Sequence, residues 1–440
     1  MTDAKPGVGG HAVRDAALRV LSQVEQGRRS DRALDRMLTR RRLEPRDRAL
    51  CTEIVYGTLR RQQLLDRTLA PFCRQPLAKL EVVVRVTLRM AAYQSAFLGS
   101  VPPHAAVHRS VEALKRIRPR ATGLANAVLR AWLRAGGELH PGEGSLADRF
   151  DLPEWLASRW ASRGDAGARW LEATLLPPQS WLRASLEKAT PEEVVGHLVA
   201  HGAEAEVGAR VPGSVRVLDA NRAAIVEVVG AGLAVPRSEA AQIVTALLSA
   251  TESTTLDACS GRGGKARQLA ESGALVVAVD NHAGRLADSR RLAGTTGAGR
   301  LAWVRADLQD GLPLGRQFDH ILVDVPCSGL GTIRRHPEIK WQSSLEDLQR
   351  LAASQRRILD TCLAALAPDG HLLYITCSTE AEENEDVVNA ALEATAEIVR
   401  LPFTAAADGC AVDALGDLRT YPEDANLDGF YVARLTRLPA

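Results

Sequence analysis

Two cysteines stand in similar surroundings fifty positions apart. Cys327 lies in DVPCSG (324–329) and Cys377 in YITCS (374–378), and each follows an apolar run. A cysteine thiolate can add to carbon 6 of a pyrimidine ring, which makes carbon 5 nucleophilic enough to accept a methyl group. A carboxylic acid must meet ring nitrogen 3 during that addition, and Asp324 lies three residues before Cys327. The spacing alone does not decide which cysteine attacks.

A second group of residues is suited to binding an adenosine-containing cofactor. The segment DACSGRGGK (257–265) is rich in glycine, so its backbone can approach a ligand closely. Asp280 follows the next apolar run and can accept both hydroxyls of a ribose, and Asp307 follows the third and can accept from an adenine amine. No pyrophosphate-binding glycine pattern is present. S-adenosylmethionine therefore fits these residues better than a nicotinamide dinucleotide.

A cationic segment follows the first cysteine. GTIRRHPEIKW (331–341) combines positive charge with an aromatic ring, a pairing suited to single-stranded nucleic acid or to a base pulled from its stack. The predicted RNA-binding residues are Arg334, Arg335, His336, Lys340 and Trp341.

The elements that must position these residues are indicated by apolar spacing. From about residue 238, short apolar runs alternate with helical segments, which is typical of a mostly parallel, doubly wound α/β sheet. Ligands bind at the carboxyl ends of the strands in such sheets. The candidate acids and cysteines all lie at predicted strand ends. The predicted strands are TTLDAC, ALVVAVD, LAWVRAD, FDHILVDVP and GHLLYITCS.

Four parts are predicted along the chain. Apolar residues recur every three to four positions through most of 1–137, which predicts an all-helical domain. Residues 138–177 read as a linker with short helices, and 178–236 as a small α/β module that contacts RNA. Residues 237–440 form the predicted catalytic domain.

Charge is distributed unevenly. The formal net charge is +2, yet residues 1–140 carry 26 Lys and Arg against 12 Asp and Glu, a balance of +14. A basic region of this kind favours contact with a polyanion such as nucleic acid. Its arginines form either a phosphate-facing surface or merely a solvated face: Arg40, Arg41, Arg42, Arg60, Arg61, Arg116, Arg118 and Arg120.

Composition also argues against several classes of protein. The seven cysteines are odd in number and include no C-x-x-C pair, so neither a disulfide framework nor a metal site is predicted. No apolar run approaches the roughly 20 residues that a membrane-spanning helix needs, and the first residues lack the apolar core of a secretory signal. We expect a cytoplasmic, monomeric protein without metal or membrane contacts.

Together these motifs resemble the bacterial ribosomal RNA cytosine-5 methyltransferases of the Fmu/Sun (RsmB) type, over nearly the whole chain. DACSGRGGK is similar to the family's Asp-x-Cys-Ala-Ala-Pro-Gly-Gly-Lys cofactor loop. DVPCSGLGTIRRHPEIKW and YITCST are similar to its Asp-x-Pro-Cys-Ser-Gly and Tyr-x-Thr-Cys-Ser motifs, which occur together in RNA rather than DNA methyltransferases. The N-terminal helices, with DRALCTEIVYGTLR and GLANAVLR, resemble the NusB-like RNA-binding domain.

The resemblance implies a Rossmann-like class I methyltransferase domain, S-adenosylmethionine as cofactor, and 16S ribosomal RNA, free or in an assembling small subunit, as substrate. It implies that Cys377 is the nucleophile, that Cys327 helps to release the product, and that Asp324 meets ring nitrogen 3. By the same matching, the cofactor site is lined by Cys259, Ser260, Gly261, Arg262, Gly263, Gly264, Lys265, Asp280, Asp307 and Asp324.

The sequence departs from the family pattern at a few positions. Arg262 replaces a proline of the cofactor loop, Ser260 and Gly261 replace two alanines, and Ser185 stands where an Arg-x-Asn pattern is usual. A looser, charged loop would weaken cofactor binding. Because Lys265 and the catalytic residues remain, we expect an active enzyme.

Three other functions are compatible with parts of the sequence. The first is cytosine-5 methylation of another RNA such as transfer RNA. The second is a catalytically weakened RNA-binding factor for ribosome assembly or antitermination, which would have no use for two such thiols. The third, a nicotinamide-dependent oxidoreductase, gives the cysteine pair no role.

Overall fold

The computed structural model describes residues 8–41, 43–219, 221–248, 252–293, 298–405, 409–422 and 427–439. The chain divides into two compact units. The first comprises Met1–Pro177 and Ile333–Gln342, and the second comprises Pro178–Thr332 and Ser343–Ala440. The first unit is therefore discontinuous in sequence, a feature that the predicted four-part division does not contain. That finer division stays a prediction.

The first unit is helical in its described part. Its buried side chains, such as Leu18, Ile54 and Leu88, recur at helical spacing and are fully shielded from solvent. Its helices are α1 (Val8–Glu25), α2 (Ser30–Arg40), α3 (Pro45–Arg60), α4 (Gln62–Leu69), α5 (Val82–Phe97), α6 (Pro103–Lys115), α7 (Thr122–Arg134), α8 (Leu146–Phe150), α9 (Glu154–Ala161) and α10 (Gly164–Ala173), with α16 (Ile339–Gln342) from the later segment.

Helices of the second unit flank two sheets. Several begin at a hydrogen-bonding side chain, as at Thr190, which forms a reciprocal capping box with Glu193, and at Ser344, which accepts from the Asp347 amide. These helices are α11 (Pro191–Ala200), α12 (Arg222–Gly230), α13 (Glu239–Ala246), α14 (Gly264–Glu271), α15 (Ala283–Ala293), α17 (Leu345–Ala364) and α18 (Glu385–Ala394).

The smaller sheet is antiparallel and has the order β2-β3-β1-β4. Its strands are β1 (Ser180–Ala184), β2 (Ala205–Val207), β3 (Ser214–Val217) and β4 (Ala234–Pro236). The strands of the larger sheet are β5 (Thr254–Asp257), β6 (Leu275–Asp280), β7 (Leu301–Arg305), β8 (Phe318–Asp324), β9 (Leu366–Thr376), β10 (Ile398–Arg400), β11 (Cys410–Val412), β12 (Leu418–Thr420) and β13 (Tyr431–Arg437).

The larger sheet has a parallel part and an antiparallel part. Its order is β11-β12-β13-β9-β8-β5-β6-β7, with β10 also paired to β13. Strands β5 to β9 run parallel to one another, while β13 pairs with β9 in antiparallel fashion and β10 to β13 pair with one another in the same way. Buried residues such as Leu256, Ile321 and Tyr374 fill the core beneath the sheet. The predicted doubly wound, mostly parallel sheet is confirmed.

The described residues were expected to contain neither a membrane-spanning helix nor a metal site. None of the described helices is both long and apolar enough to cross a membrane. The same part of the chain has no group of three or more His, Cys, Asp or Glu side chains able to hold a metal ion.

Candidate active site

Cys327 and Cys377 meet where β8 and β9 end. The two strands run in parallel with Asp324 opposite Ile375, so the segments that follow them emerge side by side. The two sulfur atoms are 3.2 Å apart, and the Cys377 amide donates to Cys327 Sγ at 3.3 Å. The hydrogen bond with Cys377 and burial raise the pKa of the Cys327 thiol well above its ordinary value. Cys327 is thus a protonated thiol that can donate to the Cys377 sulfur.

A buried carboxylate ties the two cysteine segments together. Glu383 is fully buried. One of its oxygens accepts from the Ser328 amide at 2.8 Å and from Gln355 Nε2 at 3.0 Å, and the other accepts from the hydroxyls of Ser328 and Ser378. Since these serines directly follow Cys327 and Cys377, Glu383 fixes the spacing of the two thiols. Glu383 was not among the predicted site residues; the only signal was the acidic run EAEENE (380–385).

Charged residues meet at the ends of β5 and β8. Lys265 Nζ donates to Asp324 Oδ2, and both side chains are mostly buried. Asp257 is fully buried nearby, and burial together with the Asp324 charge raises its pKa to about 7, against the opposing effect of Lys265 and Arg237. No role was predicted for Asp257. The charge of Asp257 therefore interacts with those of Asp324 and Lys265.

The cofactor loop turns tightly between β5 and α14. Gly261 and Gly263 have φ values of 56° and 77°, in the left-handed region that favours glycine. A Cβ on Gly263 would lie 2.0 Å from Ser289 Oγ, so only a residue without a side chain fits there. Arg262 points to α15, where its Nε lies 3.5 Å from Asp288 Oδ2. This loop can bring backbone amides against a bound ligand.

Two carboxylates lie beyond that loop at adjacent strand ends. Asp280 accepts from the Gly261 amide at 3.0 Å, which fixes the loop against the end of β6. Asp307 follows β7 and accepts from Asn281 Nδ2 at 3.1 Å, a bond that lowers the pKa of its carboxyl. Both groups retain acceptor capacity for ribose hydroxyls and an adenine amine. The glycine loop and these acids fit an adenosine-containing cofactor.

The predicted RNA-binding segment is placed differently from expectation. Lys340 has no solvent exposure, donates to the Arg60 carbonyl at 3.0 Å, and has its pKa lowered to about 8 by burial. Arg334 is also buried and donates to the Pro177 carbonyl at 3.0 Å. Buried side chains cannot contact RNA, so we correct the assignment of these two residues, since they pack inside the first unit. The three partly exposed members stay a prediction: Arg335, His336 and Trp341.

The arginines of the N-terminal third do not form one free surface. Arg60 is buried and donates to the Arg334 carbonyl at 3.3 Å. Arg116 pairs with Asp15 at 2.8 Å, and Arg118 pairs with Glu81 at 2.9 Å. Arg40 and Arg120 are exposed, whereas Arg42 lies outside the described residues. The phosphate-facing surface therefore stays a prediction for the exposed members alone.

Two family models match the chain one after the other. The NusB family matches residues 11–134, and the family described as 16S rRNA methyltransferase RsmB/F matches residues 244–436. The parallel sheet, the glycine loop and the strand-end acids therefore define a methyltransferase whose cofactor is S-adenosylmethionine, fused to a NusB-like helical region. These matches confirm the predicted fold of both regions and the predicted cofactor.

Curated relatives extend the match to the full chain. The ribosomal RNA small subunit methyltransferase B of Thermus thermophilus is 36% identical, over 97% of this chain and 98% of that protein. That of Xanthomonas campestris is 33% identical, over 99% of this chain and 100% of that protein, and the probable one of Bacillus subtilis is 32% identical, over 87% and 88%. The chain belongs to the 16S rRNA methyltransferase RsmB/F family.

Solved structures share the fold. The crystal structure of PH0851 superposes with a TM-score of 0.85 at 21% identity, covering 99% of this chain and all of that one. A methyltransferase homolog protein from Pyrococcus horikoshii gives a TM-score of 0.57 at 23% identity, covering 67% of this chain and 98% of that one.

Proposed function

We propose that this protein transfers a methyl group to carbon 5 of a cytosine in 16S ribosomal RNA through a covalent bond between Cys377 and carbon 6. The observation that carries the proposal is the pair of sulfurs 3.2 Å apart at the ends of β8 and β9. A methyltransferase acting on a more nucleophilic atom needs no thiol. A pair of adjacent thiols, followed by serines held on one carboxylate, fits addition and release at the same ring.

Cys377 is the attacking group in this proposal. Its thiolate adds to carbon 6, the carbon 5–carbon 6 double bond opens, and electron density moves onto carbon 5, which then accepts the methyl group. Asp324, in its protonated form, donates its proton to ring nitrogen 3 as the thiolate adds, so that negative charge does not build up on the ring. Lys265, hydrogen-bonded to Asp324, keeps that carboxyl directed into the site.

Cys327 acts during product release. The proton on carbon 5 leaves to solvent, the double bond reforms, the bond between carbon 6 and the Cys377 sulfur breaks, and the Asp324 carboxylate takes back the proton from ring nitrogen 3. Because Cys327 is protonated and adjacent, its S–H donates to the departing sulfur and stabilises the leaving thiolate. Loss of the Cys327 thiol should therefore slow release more than addition.

S-adenosylmethionine supplies the methyl group. Residues 259–265 with Asp280, Asp307 and Asp324 would hold it, because they surround the carboxyl ends of β5, β6, β7 and β8. We propose that the exposed basic residues of the N-terminal region contribute to RNA binding, which agrees with the NusB family match and with the names of the relatives.

The test compares the wild type with Cys327→Ala and Cys377→Ala on a denaturing gel after incubation with unmodified 16S RNA and S-adenosylmethionine. Cys362→Ala is the matched control, since Cys362 is a buried core thiol. We expect a stable protein–RNA adduct only in Cys327→Ala, and no methyl transfer in Cys377→Ala. An adduct only in Cys377→Ala would reverse the two roles.

Parallel reactions with transfer RNA test the first alternative. Methylation of transfer RNA but not of 16S RNA would keep the chemistry and replace the substrate. Binding of 16S RNA without methyl transfer and without any adduct would favour the RNA-binding assembly factor.

A further inference from the structure

A groove lies between α15 and β7. It has a volume of about 470 Å³ and is lined by Leu286, Trp303, two alanines and three arginines. The strand that borders it, β7, is the last in the order of the larger sheet. Among the described residues, no further strand covers this edge.

Two of the arginines lack an acidic partner. Arg291 pairs with Asp288 at 2.9 Å and is neutralised locally. Arg290 lies over the Trp303 ring at 5.4 Å, and Arg305 donates only to the Asn281 carbonyl, at 3.3 Å. Within the described part of the chain, no carboxylate pairs with either of these two. Both are exposed, so two guanidinium groups face solvent across one groove.

Contacts between neighbouring side chains hold the lining of the groove in place. Trp303 Nε1 donates to Ser289 Oγ at 2.9 Å, and Ser289 is buried. This bond fixes the indole, and the indole in turn supports the guanidinium of Arg290 through a cation–π contact. A guanidinium held in place loses little freedom when it binds a phosphate, to which it can offer two parallel N–H donors.

We infer that this groove binds the phosphodiester backbone of the RNA substrate, at a site separate from the cysteine pair and from the N-terminal region. The inference rests on the proposed RNA substrate. The charge of the groove is complementary to a polyanion, and its open form admits a strand that continues in both directions.

The test removes both charges with Arg290→Gln and Arg305→Gln in one variant. The control variant, Arg350→Gln with Arg356→Gln, loses the same charge from arginines already paired with Asp347 and Asp360. Binding of an unmodified 16S RNA transcript is measured over a series of salt concentrations, together with S-adenosylmethionine binding by calorimetry and methyl transfer to the same RNA.

We expect the groove variant to bind RNA about tenfold more weakly than the wild type, with a salt slope smaller by about 1.4 because two phosphate contacts are lost. The control should stay within about twofold, since its arginines make no phosphate contact. Cofactor binding should be unchanged in both, which excludes misfolding. RNA affinity equal to the control overturns the inference, and so does pyrophosphate binding to the groove with RNA affinity unaltered.

The groove inference and the proposed function would be refuted by different results. If the wild type methylates cytosine carbon 5 and the groove variant binds RNA normally, the groove inference fails and the proposed function stands. If the wild type transfers no methyl group to any RNA, the proposed function fails, whatever the groove variant does.

Discussion

Removing the carboxylate of Glu383 should loosen the two cysteine segments together. In Glu383→Ala the amide and hydroxyl of Ser328, the hydroxyl of Ser378 and the amide of Gln355 all lose their acceptor. At about 1 kcal/mol for each buried donor, the second unit loses about 4 kcal/mol of unfolding free energy. For a unit of this size, that lowers its melting temperature by about 8–16 °C.

The conservative substitution separates the charge from the hydrogen bonds. In Glu383→Gln the remaining oxygen still accepts from the Ser328 amide and Gln355, and the two serine hydroxyls can rotate to accept from the new amide. We expect a loss of only about 1 kcal/mol. The exposed residue Glu393, at the end of α18, provides the control Glu393→Ala.

Thermal unfolding and methyl transfer at saturating cofactor are the two measurements. Because misplaced reacting groups slow a reaction steeply, we expect methyl transfer to fall about 100-fold in Glu383→Ala and about tenfold in Glu383→Gln. The reasoning is refuted if Glu383→Ala unfolds at the wild-type temperature, or if it transfers methyl groups at the wild-type rate.

Two further predictions concern the cofactor loop and its buried acid. Gly263→Ala should weaken S-adenosylmethionine binding at least tenfold by calorimetry, because the new Cβ meets Ser289. A Cβ on Gly261 would meet open space, so Gly261→Ala has only the cost of a left-handed backbone, about 1 kcal/mol, and should weaken cofactor binding less. Equal losses of affinity in the two variants would contradict the steric argument. Asp257 has a pKa raised to about 7, so the folded chain keeps a proton that the unfolded chain loses above about pH 4. Wild-type stability should therefore fall relative to Asp257→Asn by about 3 kcal/mol between pH 5 and pH 8 in urea unfolding, and a constant difference would refute it.

Local sequence patterns predicted the site where its parts follow buried strands. Runs such as FDHILVDVP and GHLLYITCS are apolar enough to be buried on both faces, and the residues after them necessarily meet at one edge of a parallel sheet. The pairing of Cys327 and Cys377 follows from that geometry. The three-residue strands β10, β11 and β12 carry too few residues for a recognisable alternation.

Lys340 and Glu383 show the limit of such patterns. A charged residue beside others of its kind is typical of a solvated segment, and nothing in the neighbouring residues indicates that it is buried. The partner that satisfies buried Lys340, the Arg60 carbonyl, lies 280 positions away in the sequence. The donors that satisfy buried Glu383 lie up to 55 positions away. Only the tertiary structure brings these partners together.

The discontinuity of the first unit bears on how the chain folds during synthesis. Glu338 accepts from the Ser30 amide at 2.9 Å, and Gln342 donates to the Val24 carbonyl at 3.1 Å. Backbone groups at the end of α1 and the start of α2 therefore bond to a segment that is synthesised about 300 residues later. Although its first residues leave the ribosome early, the N-terminal unit cannot form these two hydrogen bonds until translation has passed Gln342. A fragment that ends at Pro177 would expose the backbone groups that this segment covers.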